Sequence, residues 1–455
     1  MIKNIKYIPL MLSVLFLASC GEDALDLSPL STIGENGFYE NARQVEGGVL
    51  AIYDGLQDVP IFEYALTEMR SDNTKTKSSE GDWAQFESFT VQPTNLAVGT
   101  YWKANYSVIF RANRILENLE VVEDATLKGQ YEGEAKFARA LSHFNLVRAY
   151  GDVPYIDRVV IQTDTDYFDK DATATVYAGI VSDLTSAIST LPSRADTQEG
   201  RATRGAAQGL LAKVYLTLEN YTEAKELLVT LLADTDYALV SDYNEIFYNE
   251  MNSEIIFAIP YTNDDANEAQ DFSFEMTVGG RVSGLNFVTN DFASAVDPAD
   301  TRIPTLYNPN STVEVGKFMT TSSDVRLCGN DWIVLRLADV FLMHAEAIMG
   351  GNASTQSLDA IASYNTIRDR AGLSLLATDG SETLTKEMLS DERRVELAFE
   401  NHRFYDLVRM GMASSVLSAF ATSEGYSYEP TDVLLPIPQA EIDVSQGLLI
   451  QNAGY

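Results

Sequence analysis

Apolar residues recur at steps of three and four along most of the chain. Within residues 41–58 the series Val45, Val49, Ile52 and Leu56 lines one face of a helix. Residues 100–120 repeat it with Tyr101, Ile109, Ile115, Leu116 and Leu119, and residues 131–150 with Ala135, Ala138, Leu141 and Leu146. Gly151-Asp152-Val153-Pro154 stops that last helix, because proline cannot continue it and restricts the residue before it. A further helix is predicted over 175–191, ending near Pro192. Over 203–233, Leu211-Ala212, Tyr215, Tyr221, Ala224, Leu228 and Leu231 fall at the spacings of a tetratricopeptide helix pair. A looser pair is predicted over 338–372, joined through Gly350-Gly351-Asn352. One such unit cannot cover its own apolar face, so several degenerate pairs must stack. The pattern predicts a mostly α, single-domain helical scaffold with tetratricopeptide-like pairs.

Two stretches break the helical period. Residues 60–100 and 260–335 are rich in Gly, Ser, Thr, Asn and Asp, with short β-like runs such as 254–259 at the margin of the second. Irregular segments of this length usually have a task, and rigid helices holding aromatic-bearing loops predict a ligand site there.

The first twenty residues differ again. Lys3 and Lys6 precede an apolar run from Tyr7 to Ala18, broken by Pro9 and Ser13. Twelve residues rise about 18 Å as a helix, short of the roughly 30 Å hydrocarbon core. The segment therefore reads as a secretory signal. It ends Leu17-Ala18-Ser19-Cys20, which resembles a bacterial lipoprotein box with Cys20 as the acylated residue. The expected organisation is a signal peptide over 1–19, an N-terminal tether over 20–40 and a helical domain over 41–455. Gly21-Glu22-Asp23 resemble an outer-membrane surface-export signal, which implies the outer membrane, facing the exterior, as the address.

Charge narrows the partners. Asp and Glu number 66 against 32 Lys and Arg, a formal charge of −34. Such a surface repels phosphate backbones and anionic headgroups, which excludes nucleic acid and leaves the lipid anchor as the only membrane attachment. Cys328, the other cysteine, reads as an inert buried thiol.

Catalytic signatures are lacking: there is no Gly-x-Ser-x-Gly elbow, phosphate-binding glycine loop or His-Glu-x-x-His. His143, His344 and His402 sit in separate helical segments and read as packing or surface residues. Asp164, Asp166, Asp169 and Asp171 lack the glycine and bidentate Glu of a calcium loop and read as a solvated acidic turn. Among 66 acids, sequence cannot select a glycosidase pair. No catalytic residue, metal or cofactor is predicted.

The densest charged pattern runs from Asp391 to Arg409. Glu392, Glu396, Glu400 and Arg403 recur at helical steps, while Arg403–Asp406 and Asp406–Arg409 are spaced to pair along a helix. This predicts a structural ion network clamping one helix to its neighbours. The segment resembles the SusD/RagB family of nutrient-binding outer-membrane lipoproteins, at Arg393, Glu396, Leu397, Phe399, Glu400, Arg403, Asp406, Leu407 and Arg409. Other family-like stretches surround it in order, among them 101–106, 133–140 with 151–154, 335–347, 437–442 and 451–455. Asp443-Val444-Ser445-Gln446 departs from the family's usual Asn-Pro. The resemblance implies a family-typical C-terminal region over about 330–455. It also implies capture of oligosaccharides, or of peptides, for a SusC-like TonB-dependent transporter, without cleavage.

Sugar rings offer flat C–H faces to aromatic rings, and their hydroxyls need amide, carboxylate or guanidinium partners. Residues 72–89 supply Asp72, Asn73, Trp83 and Phe86; residues 281–302 supply Arg281, Asn286, Phe287 and Arg302. Trp83 leads, because Glu80-Gly81-Asp82 before it reads as an exposed turn. Trp102 and Trp332 read as core. The competing readings are a surface glycoside hydrolase and a peptide-binding or helical-repeat scaffold lipoprotein.

Overall fold

The computed structural model describes residues 38–76, 81–161, 163–276, 285–308, 311–320, 322–324 and 326–455. Cys20 and the rest of the N-terminal signal and tether through residue 37 lie outside them, as does Arg281.

The long helices are α1 (Ala42–Gln57), α2 (Leu96–Leu116), α3 (Ala125–Tyr150), α4 (Thr173–Thr190), α5 (Arg204–Thr217) and α6 (Tyr221–Leu232). After the long insertion come α7 (Leu337–Met349), α8 (Leu358–Arg370), α9 (Lys386–Glu396), α10 (Arg403–Arg409) and α11 (Ala413–Glu424). Caps fix their starts. Asn41, Asn95, Asp124 and Thr203 each accept hydrogen bonds from the first-turn amides of α1, α2, α3 and α5. Gly151 ends α3 at φ 74° and Gly350 ends α7 in the left-handed region, as the sequence breaks predict.

Each helix packs against its successor from α1 to α8, with α7 docking on α6 across the insertion. That is the serial stacking expected of degenerate helix pairs. Close approach needs small residues at the contacts: a Cβ on Gly133 of α3 would lie 2.6 Å from Thr190 Oγ1 at the end of α4. Val45, Val49, Ile52 and Leu56 are all buried, as are Trp102 and Trp332, so the predicted apolar faces form the core.

The 60–100 and 260–335 stretches are irregular but not loose. Strands β1 (Thr74–Lys75) and β3 (Phe287–Val288) pair antiparallel, Thr74 opposite Val288, and so join the two. Strands β2 (Ile255–Ile259) and β4 (Trp332–Arg336) pair antiparallel with bulges and carry a fully apolar inner run.

The Asp391–Arg409 pattern is not one helix. α9 ends at Glu396, and Phe399 (φ 65°) and Asn401 (φ 62°) turn the chain before α10 begins at Arg403. Residues with a side chain rarely hold positive φ, so neighbours must enforce it. The Asn401 amide donates to Glu68 Oε1 at 2.9 Å, and its side chain reaches Glu63 and Thr67. The expected Asp406–Arg409 pair forms at 2.8 Å. Arg403 turns instead to Asp72, and Arg393 reaches back to Asp406 at 2.8 Å.

Candidate functional site

The turn before Trp83 is pinned to the start of α2. Gly81 adopts φ 59°, the Asp82 carbonyl accepts from Asn95 Nδ2 at 2.9 Å, and the Asp82 carboxylate accepts from the Gln85 side chain at 3.1 Å. This sets the half-buried Trp83 ring against two others. Phe62 lies 5.5 Å away and tilted, and Tyr64 lies 5.8 Å away in a nearly parallel stack at 11°. Such ring pairs hold the indole in place.

A charged cluster from the second irregular stretch acts on Tyr64. Arg326 sits 4.1 Å over the Phe274 ring and reaches Glu275 Oε1 at 3.2 Å and Asp271 Oδ2 at 3.4 Å. Both Arg326 and Asp271 are largely open to solvent, whereas Glu275 is mostly covered. Burial pushes the Glu275 carboxyl up to about 7, with Arg326 opposing and Asp271 reinforcing the rise. Tyr64 links the two groups of residues. Its phenol, stacked under Trp83, is raised well above the usual tyrosine range by burial and by the charges of Glu275 and Asp271. Tyr64 thus stands between the Trp83 ring, on which it stacks, and the charges of Glu275, Asp271 and Arg326, which act on its phenol.

The other residues predicted to touch ligand lie elsewhere. Asp72 is buried and chelated by Arg403 through two 2.8 Å contacts, with Arg394 at 3.1 Å. Burial alone would raise its carboxyl, but those guanidiniums outweigh it and hold the group below its ordinary value. Asn73 spends its amide on Glu68 and Arg394, each at 3.0 Å. Phe86 is core. Arg302 is 1% exposed and bound to Asp300, Glu392 and Glu396 at 2.7–2.8 Å. Asn286 is wholly buried beside β3, and Phe287 is half-buried within it. The expectation that these residues face solvent fails at Asp72, Asn73, Phe86, Asn286 and Arg302. Their residue types suit a glycan, yet every polar one except Asn286 already has charged or amide partners inside the protein.

Arg302 belongs to a buried ionic frame. Arg336 contacts Glu254 at 2.9 Å, Glu396 at 2.5 Å and Glu400 at 2.7 Å. Arg370 binds Glu254 and Glu396 as well, and Lys317 binds Glu400 at 2.7 Å plus the carbonyls of Glu396 and Ala398. Arg393 and Arg409 share Asp406, and Arg409 forks onto Glu346 at 2.7 and 2.8 Å. Full pairing is the condition for holding such charges out of water.

Phe62, Tyr64, Asp271, Glu275 and Arg326 were missed by sequence reasoning. The only signal for them is the Asp271–Glu275 four-residue step before a distant Arg326, too common a spacing to stand out.

Comparison with known proteins covers nearly the whole chain. The profile described as "SusD family" matches residues 294–455, and one described as "Starch-binding associating with outer membrane" matches 42–216. SusD-like protein P2 of Formosa agariphila is 26% identical over 97% of this chain and 98% of its own length. A laminarin-binding SusD-like protein of solved structure superposes with TM-score 0.77 at 28% identity, covering 92% of this chain and all of that one. Surface glycan-binding protein A from Bacteroides thetaiotaomicron, solved with laminarihexaose, gives TM-score 0.75 at 22% identity over 90% of this chain and 99% of that one. Stacked helix pairs, the ionic frame at the C-terminal motif and these matches agree: the chain belongs to the SusD/RagB family.

Proposed function

We propose that this protein binds neutral oligosaccharides at the Trp83 corner and delivers them to a SusC-like TonB-dependent outer-membrane transporter without cleaving them. The observation that carries the reading is the half-buried Trp83 ring, backed by Tyr64, whose phenol in turn feels the charges of Glu275, Asp271 and Arg326. A 28%-identical relative that binds laminarin supports the same ligand class. The lipid anchor at Cys20 rests on the lipoprotein box, and the outward-facing address on Gly21-Glu22-Asp23 after it.

One observation favours a second reading, surface glycoside hydrolysis. Glu275, raised to about 7, stands near Asp271, and pairs of carboxyls in unequal environments perform acid and base roles in glycosidases. Arg326, however, pairs with both carboxylates, at 3.4 and 3.2 Å, and ties them together in one salt-bridged cluster. Binding is therefore the stronger reading.

Calorimetric titration of the purified chain with laminarihexaose and other neutral oligosaccharides tests it. The expected result is saturable binding, weakened by Trp83→Ala, with the sugar recovered intact after prolonged incubation. Release of shorter sugars that stops in Glu275→Gln would replace binding with hydrolysis.

A further inference from the structure

An open groove lies away from the Trp83 corner. It encloses about 520 Å³ between α2, the segment after α3 and the C-terminal tail. That is within the range of small-ligand sites, roughly 300–1,000 Å³. Aromatic side chains form its walls: Tyr106 and Phe110 from α2, Tyr167 and Phe168 opposite. Phe110 is 47% exposed although it is large and apolar. The walls are held in place. Tyr106 Oη donates to the Pro154 carbonyl at 2.8 Å, and Arg158 stacks 4.5 Å over Tyr167 while pairing with Asp164 at 3.0 Å.

The mouth carries unspent polar groups. Lys103, Ser107 and Glu441 line the groove, and among the described residues none of their side chains makes a hydrogen bond or ion pair. This contrasts with the buried charges elsewhere, which are paired in twos and threes. The rim is also electrically balanced. Arg158 is neutralised by Asp164, and the charge of Lys103 acts on Glu441, whose carboxyl burial pushes up. In a protein of formal charge −34, a groove without net charge favours an uncharged occupant. Flat aromatic walls with a free ammonium, hydroxyl and carboxylate at the mouth suit a ring with apolar faces and an edge of hydroxyls.

We infer that this groove is a second saccharide site, taking a neutral pyranose unit between Phe110 and Phe168 with Lys103, Ser107 and Glu441 on its hydroxyls. The inference rests on the proposed reading of the protein as a saccharide binder, but not on the Trp83 corner. Calorimetry of the full chain with laminarihexaose, cellohexaose and maltohexaose separates the two. With at least one probe, Trp83→Ala is expected to leave a residual binding event. Adding Phe110→Ala should weaken that event about tenfold or more. Glu441→Gln and Lys103→Ala sit at the mouth and serve in its place should Phe110→Ala melt early.

Loss of all binding in Trp83→Ala overturns the groove and leaves the Trp83 corner standing. Residual binding indifferent to the groove substitutions overturns it too. Binding that survives Trp83→Ala in full and collapses in Phe110→Ala keeps the groove and discards the corner. No binding of any probe by the unaltered chain removes both.

Discussion

The buried ionic frame and the Trp83 corner draw on the same residue types: arginine, carboxylate and aromatic ring. In the frame, Arg302, Arg336 and Arg370 each bind at least two carboxylates and are at most 6% exposed. At the corner, Arg326 shares one nitrogen between two carboxylates at 3.2 and 3.4 Å and remains half exposed. The frame's guanidiniums are held by carboxylates out of water, whereas Arg326 stands half open to solvent. Composition therefore does not separate scaffold from site; pairing and exposure do.

The sharpest way to break this contrast is to unpair the frame. Glu396→Ala leaves Arg302, Arg336 and Arg370 short of a carboxylate in the interior, and removal of one partner from a buried pair costs ~3–5 kcal/mol. Urea unfolding should show the loss; an unchanged midpoint would contradict the structural role of the frame. Asp72→Asn should follow at about 3 kcal/mol, because Arg403 loses its carboxylate partner and keeps a single amide oxygen in its place. Oligosaccharide affinity of the surviving folded fraction should stay as it was. A direct fall in affinity with stability intact would return Asp72 to the ligand site.

Glu68 adds a pH test inside the frame's neighbourhood. Burial raises its carboxyl from 4.5 to about 7, although Asn73 and the Asn401 amide oppose the shift. The folded protein thus holds a proton that the unfolded chain releases between about pH 4.5 and 7. Stability is lost as pH rises through that window, by about 3 kcal/mol. Glu68→Gln should remove that part of the slope between pH 5 and 8; parallel pH–stability curves for the two proteins would refute it. Smallest in stability but decisive for function is Trp83→Ala. It should weaken oligosaccharide binding by about 2 kcal/mol, some thirtyfold, while the melting temperature barely moves.

Most of the helical scaffold was legible because its signal is periodic. Apolar spacing and glycine or proline stops place α1, α4 and α5–α8 closely, whereas α3 begins at Ala125, six residues before the 131–150 stretch that its spacing marks. What was not legible depends on contacts distant in sequence. Nothing local marks Phe399 and Asn401 for positive φ; Glu68, Glu63 and Thr67, more than 300 residues earlier, hold Asn401 there. Asp72 and Arg302 were offered as ligand residues because their types are right, and only the fold shows Arg403 and Glu396 already bound to them. For Trp83 the local turn signals predict exposure, and the ring is instead half-buried against Phe62 and Tyr64.

The Asp72–Arg403 clasp has a consequence for how the chain reaches its native state. Its partners stand 331 residues apart, and the Asn401 contacts to Glu63 and Glu68 span 338 and 333. Helices α1 to α6 make neighbour contacts and can assemble as they appear, since local contacts close quickly. The segment holding Trp83 cannot be finished in the same way, because the arginine that secures Asp72 lies near the chain's end. Binding competence is thus a late event in folding: a chain truncated before residue 403 would keep its first helices and lose its ligand corner.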